Sequence, residues 1–206
     1  MLHKYKNILT RSIFIVIITA LNFISLNAQN WYKQNMIVES SIADTSADIG
    51  RLTQSEKLLT RISYSRPNDW LPHYYIALEN IRMAELILEE GKAINSNYFS
   101  NAFEHLEKAD SLNRGNAEIK ILKAYWAAAK NDSVLIEQLN AEMLLLIPNP
   151  RALYVLVLFS NRLAQYNFRD KYLDAILKLC PLEFPEGSFN PKWGCFSAEK
   201  LKQKWM

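Results

Sequence analysis

The feature that most constrains this chain is a recurrence. Residues Glu107 to Leu122 read EKADSLNRGNAEIKIL, and 34 residues later Ala141 to Leu156 read AEMLLLIPNPRALYVL. Ala109 aligns with Met143, Leu112 with Leu146, Arg114 with Pro148, Asn116 with Pro150 and Leu122 with Leu156. A further 33 residues on, Ile176, Leu179 and Pro181 fall on Met143, Leu146 and Pro148. Upstream, Pro67-Asn68-Asp69 matches the turn at Arg114 over a longer interval of 47 residues, which leaves room for a longer first helix and a loop around Gly91 to Asn97. A unit of this length cannot bury an apolar face alone, so its copies must stack on one another to make a core.

The periodicity within each unit is helical. Phe99, Ala102, Phe103, Leu106, Ala109 and Leu112 fall three and four apart, as do Leu135, Leu139, Met143 and Leu146. That spacing lines one face of an α-helix. Asn116, Asp132 and Asn149 stand where N-caps belong, Pro150 suits the first helical position, and Gly91 suits the residue just past a helix end. The run ALYVLVLF from Ala152 is apolar on all sides; its Asn-Pro start and its continuation through SNRLAQY predict a buried helix rather than a strand. The expected fold is therefore all-α: about eight or nine helices, arranged as antiparallel pairs stacked into a short solenoid.

The N-terminus predicts an address rather than structure. Lys4, Lys6 and Arg11 precede the apolar run from Ser12 to Phe23, and Ser25-Leu26-Asn27-Ala28 offers a cleavage site. This is the order of a secretory signal peptide. Cleavage between Ala28 and Gln29 is expected, with the membrane met only in transit and the protein soluble after export; a retained N-terminal anchor is the alternative. The expected organisation is then a signal over 1–28, a helical segment over 29–50, repeats over 51–181, and a C-terminal loop and capping helix over 182–206. The full chain carries 24 basic and 21 acidic residues, but the signal holds three basic residues and no acid, so the remainder is balanced at 21 of each. A nucleic-acid binder would show a basic face or stripe, and no such cluster occurs. Cys180 and Cys195 are the two cysteines; in an oxidising compartment they are a candidate disulfide, with two buried free thiols as the alternative.

An interval of about 34 residues in helix pairs resembles the tetratricopeptide repeat. Ala102, Leu106 and Ala109 match the small-large-small spacing of that repeat's second helix, and Pro148 and Pro181 match its closing proline, where Arg114 departs from it. The segments Trp70 to Tyr75 (WLPHYY), Asn149 to Arg151 (NPR) and Pro191 to Gly194 (PKWG) further resemble a group of small exported bacterial TPR-like proteins. The resemblance implies a stacked-helix architecture and an exported, periplasmic location; it implies no activity.

Motifs for chemistry are sparse. His73 and His105 each stand alone among helical neighbours, without the spacing of a metal site. Neither a Gly-x-Ser-x-Gly nucleophile nor a glycine-rich phosphate loop occurs, so no catalytic residue, metal or cofactor is expected. Asp69 should cap the helix that begins at Trp70, with Trp70, Tyr74, Ala77, Leu78, Ile81 and Ala84 in its core stripe. Tyr75, Glu79 and Arg82 lie off that stripe and are the candidates for a groove. The expected function is a non-enzymatic interaction module or scaffold that binds another protein or a peptide. The alternative is a small-ligand or peptide-binding accessory protein of outer-membrane uptake.

Overall fold

The side chains that cap helices here are short and polar, and they set where each helix begins. In the computed structural model, which describes residues 28–93, 97–180 and 191–205, Asp48 accepts hydrogen bonds from the N–H groups of Gly50 and Arg51. Asp69, Asn116, Asp132 and Asn149 cap four later helices in the same way, and Pro150 follows Asn149 at the first helical position. Each cap satisfies one or two of the N–H groups that a helix start leaves open. Gly91, just past the end of the second of these helices, has φ +70°. The helices are α1 (28–45), α2 (Ile49–Ser65), α3 (Trp70–Glu89), α4 (Asn97–Leu112), α5 (Ala117–Lys130), α6 (Ser133–Leu145), α7 (Pro150–Arg162), α8 (Tyr166–Leu179) and α9 (Trp193–Trp205). No strand occurs among the described residues. The signal expected over 1–28 lies outside them except for Ala28, which with Gln29 opens α1 and is exposed. Pro181 lies outside them as well.

The chain forms two compact units, Met1–Met36 and Ile37–Met206. In the first, Asn35 Nδ2 donates to the Trp31 carbonyl at 2.7 Å, one helical turn back. Everything below concerns the second.

Burial divides the helices of this unit into two layers. α3 buries an unbroken run from Pro72 to Ala84, α5 buries Ile119, Ile121, Leu122 and Ala124 to Ala129, and α7 buries Pro150 to Val157. By contrast α4 buries Ala102, Leu106 and Ala109, α6 only Ile136 and Met143, and α8 only Leu173 and Ile176. Each of α2 to α8 packs against the next helix in sequence, while α3 also meets α5, α5 meets α7 and α7 meets α9. α3, α5 and α7 thus form an inner layer covered by the even-numbered helices. The result is an all-α helical-repeat arrangement.

Aligned repeat positions do equivalent work. Ala109, Met143 and Ile176 are all fully buried and hold successive outer helices down; Leu122 and Leu156 are buried at matching points of the inner layer. The register differs by one from the alignment of Asn116 with Pro150, because Asn116 caps α5 as Asn149 caps α7. Capping geometry, more than apolar spacing, fixes where each inner helix starts. The run at Ala152 is helical, as its Asn-Pro start predicts, and is buried on nearly every side.

Candidate functional site

An inner layer of stacked helix pairs commonly presents a face to a partner. Here the chain's own last helix occupies that face. Trp193, the first residue of α9, has no solvent exposure. Its indole N–H donates to the Tyr74 hydroxyl at 2.9 Å, its ring stacks on Tyr125 with centroids 4.7 Å apart and planes 12° apart, and Tyr154 meets it edge-on at 5.8 Å. These aromatics come from α3, α5 and α7, so one side chain joins the whole inner layer. Edge-to-face and offset-stacked contacts of this kind stabilise beyond the area they bury.

Two arginines hold the backbone on either side. Arg151, in the first turn of α7, donates through Nε and Nη2 to the two carboxylate oxygens of Glu118 at 2.6 Å each, and through Nη1 to the Pro191 carbonyl at 2.6 Å. The side-chain amide of Asn149, the α7 cap, donates to the same Glu118 at 2.9 Å. A planar guanidinium suits this paired geometry as an ammonium would not. Arg82 donates to the carbonyls of Ala43 and Ser46 at 2.9 and 2.8 Å, and also to that of Asp44. It thereby satisfies carbonyls that the end of α1 leaves open.

The two ends of this unit meet at Asp44. Its carboxylate accepts the N–H of Lys192 at 2.8 Å, which places a carboxyl beside the N-terminus of α9. Burial pushes the Asp44 carboxyl up to about 7, against the opposing pull of that N–H and of Arg82 and Arg151. Gly194 completes the fit: a Cβ there would lie 2.9 Å from the Arg151 Cα, closer than packed atoms approach. One turn into α9, Cys195 is bridged to Cys180 at the end of α8, with Cα atoms 5.6 Å apart.

The expected groove residues are not on a groove. Tyr75 and Glu79 have no solvent exposure, and Arg82 is buried with its guanidinium on the carbonyls of residues 43 to 46. The expectation fails because α3 is covered on all sides. Positions off its core stripe face α1 and α2 rather than solvent: Tyr75 lies against Ser40 and Glu79 beside Ser55, with Glu56 and Glu39 near enough to repel its charge. Burial pushes the Glu79 carboxyl well above the ordinary carboxylate range. Arg82 borders a cavity, beside Glu85, Glu89 and Tyr154. The Tyr125 hydroxyl donates to Glu85, whose carboxyl burial raises to about 7.

The histidines are not isolated either. His73 on α3 and His105 on α4 share a hydrogen bond between their Nδ1 atoms at 2.9 Å. Burial lowers the proton affinity of both, that of His73 to about 4 with His105 and Lys108 contributing. A neutral pair fits the contact, one ring donating and the other accepting. Among the described residues no group of three or more His, Cys, Asp or Glu side chains is placed to hold a metal ion.

The residues that make the site, Glu118, Tyr125, Arg151, Tyr154 and Trp193, are not among the groove candidates. For Arg151 and Trp193 the signal lies in the WLPHYY, NPR and PKWG segments, which converge here through Tyr74, Asn149, Arg151, Pro191, Trp193 and Gly194; Glu118, Tyr125 and Tyr154 lie outside those segments. Compared with known proteins, the chain matches no protein-family model, no curated protein and no solved structure.

Proposed function

We propose that this chain is an exported, periplasmic TPR-like interaction module or scaffold without catalytic activity, and that it docks another protein on its outer layer rather than its inner face. The observation that supports this reading is α6. It buries only Ile136 and Met143, while Val134 is 65% exposed and Leu145 83%, with Leu144 also exposed and Ile147 exposed just past its end. Exposed apolar side chains gathered on one element mark interaction surfaces in soluble proteins. The inner face, filled by Trp193 and α9, is spent on the chain's own stability. Among the described residues no helix is long and apolar enough to cross a membrane.

The test is a crosslinked pull-down from the native host with wild type and Leu145→Lys. The expected result is a specific protein that is captured by the wild type and lost with the variant, while the two share one thermal midpoint. Capture of nothing but the chain itself, together with a strong stability shift from one small ligand, would replace this reading with that of a ligand-binding accessory protein.

A further inference from the structure

Both cysteines of the bridge that ties α9 to α8 border a cavity of about 320 Å³. Leu177 of α8 and Phe196 of α9 give it an apolar wall, and Lys192 and Glu199 are its charged groups. The two cysteines differ in access. Cys195 is buried, with 7% of its surface exposed, whereas Cys180 is half-buried at the end of α8. A nucleophile entering the cavity therefore meets Cys180 more openly than Cys195.

Their places in the fold make them differ in charge preference as well. Cys195 is the third residue of α9, inside the first turn, where the positive end of the helix dipole favours a thiolate. Lys192, just before that helix, adds a cation on the same cavity. Glu199, one turn farther on, opposes it. The Asp44 carboxyl that accepts the Lys192 N–H, raised to about 7, opposes it only as it ionises. Cys180 closes the C-terminal end of α8, where the dipole has the opposite sign and disfavours a thiolate; Lys178 in that last turn is exposed. In thiol–disulfide exchange the departing sulfur leaves as a thiolate, and it leaves faster the more weakly it binds a proton. Access and leaving-group ability thus select one direction, attack on Cys180 and departure of Cys195.

We infer that the Cys180–Cys195 bridge is a thiol-exchange site, entered through this cavity by a small thiol whose thiolate bonds to the Cys180 sulfur and expels Cys195. The bridge's S–S bond breaks as the new S–S bond forms. The Cys195 sulfur keeps the electron pair and takes up a proton from water, which has received the one the incoming thiol lost. The step balances without a further oxidant or reductant. A second molecule of the same thiol then removes the first as a free disulfide and leaves both cysteines reduced. The first step already unties α9 from α8, so that the contacts of Pro191, Lys192 and Trp193 alone hold its start. The inference does not rest on docking at α6.

The test uses the full exported chain with its bridge intact and reduced glutathione as the probe. Brief exposure at mildly alkaline pH, an acid quench and peptide mass mapping should find glutathione on Cys180 at least about tenfold more often than on Cys195. The rate should be unchanged by urea well below the unfolding transition. Glu199→Gln alters an exposed side chain; it should speed the exchange about two- to threefold by removing a carboxylate that repels the departing thiolate. Glu142→Gln, on the exposed side of α6, should leave the rate as it is. Equal labelling of the two cysteines, or a preference for Cys195, would overturn the proposal. So would a rate that climbs steeply with urea, which would mean that the bridge is reached only by unfolding. Absence of exchange in the native protein, or exchange indifferent to Glu199→Gln, would overturn it equally.

Discussion

At the scale of single residues, close packing around α9 leaves little latitude. Gly194 lies where a methyl group would meet the backbone and side chain of Arg151. The neighbour is backbone held by a helix cap, so it cannot swing aside. Gly194→Ala should therefore destabilise the protein by about 1–3 kcal/mol, the usual cost of overpacking. Urea denaturation followed by circular dichroism measures this, and a change under about 0.5 kcal/mol, the usual range for a surface position, would show that α9 tolerates a shift.

The histidine pair carries a pH signature of defined sign. His73 binds its proton more weakly in the folded protein, at about 4, than the ordinary 6.5 of an exposed imidazole, and His105 is lowered too. Where the unfolded chain binds more protons, stability rises with pH. The pair's contribution is thus complete above about 6.5 and is lost as pH falls toward 4. Asp44 and Glu85, both raised to about 7, act in the opposite sense: their contribution is complete below the ordinary carboxylate range and is lost as pH rises through 7. The double variant His73→Gln, His105→Gln should accordingly gain stability relative to wild type between pH 7.5 and pH 5. Parallel denaturation midpoints across that range would mean that the pair does not titrate in the fold.

At the scale of elements, α9 is the helix whose position rests most on tertiary contacts. The Pro191 carbonyl, the Lys192 N–H, Trp193, Gly194 and Cys195 are each fixed by another part of the chain, whereas Glu199, Lys200, Lys202 and Gln203 are exposed. The bridge closes a loop of 15 residues, for which chain entropy gives about 3 kcal/mol. Replacing both cysteines by serine should lower unfolding free energy by about that amount. Amide exchange should accelerate first in α9, because its remaining anchors sit at one end. Uniform acceleration along the whole chain would mean that α9 opens only with global unfolding. α7 shows the opposite balance: its apolar sequence, Asn-Pro start and burial all agree, so local and tertiary preferences coincide there.

At the scale of the whole molecule, the inner layer of α3, α5 and α7 is sealed by α9 and by the end of α1, whose carbonyls Arg82 holds. An open concave face is therefore the wrong picture of this helical-repeat arrangement, and the docking proposed above falls on the outer layer. The repeat itself was legible: Ala109, Met143 and Ile176 proved equivalent, and Asp69, Asn116, Asp132 and Asn149 begin the helices they were expected to begin or cap. Tyr75, Glu79 and Arg82 were misread because helical spacing tells which residues share a stripe, and says nothing about how many sides of a helix are covered.

The division follows from the range of the forces involved. Apolar spacing and N-caps act within about one helical turn, so the sequence by itself determined that the chain is helical, where most helices start and that they recur. The contact of Asp44 with Lys192 spans 148 residues, and that of Tyr74 with Trp193 spans 119. No local pattern encodes pairings at that distance. Only the tertiary structure decided that Trp193 fills the inner face, that the two histidines meet, and that Glu85 and Glu89 border a cavity.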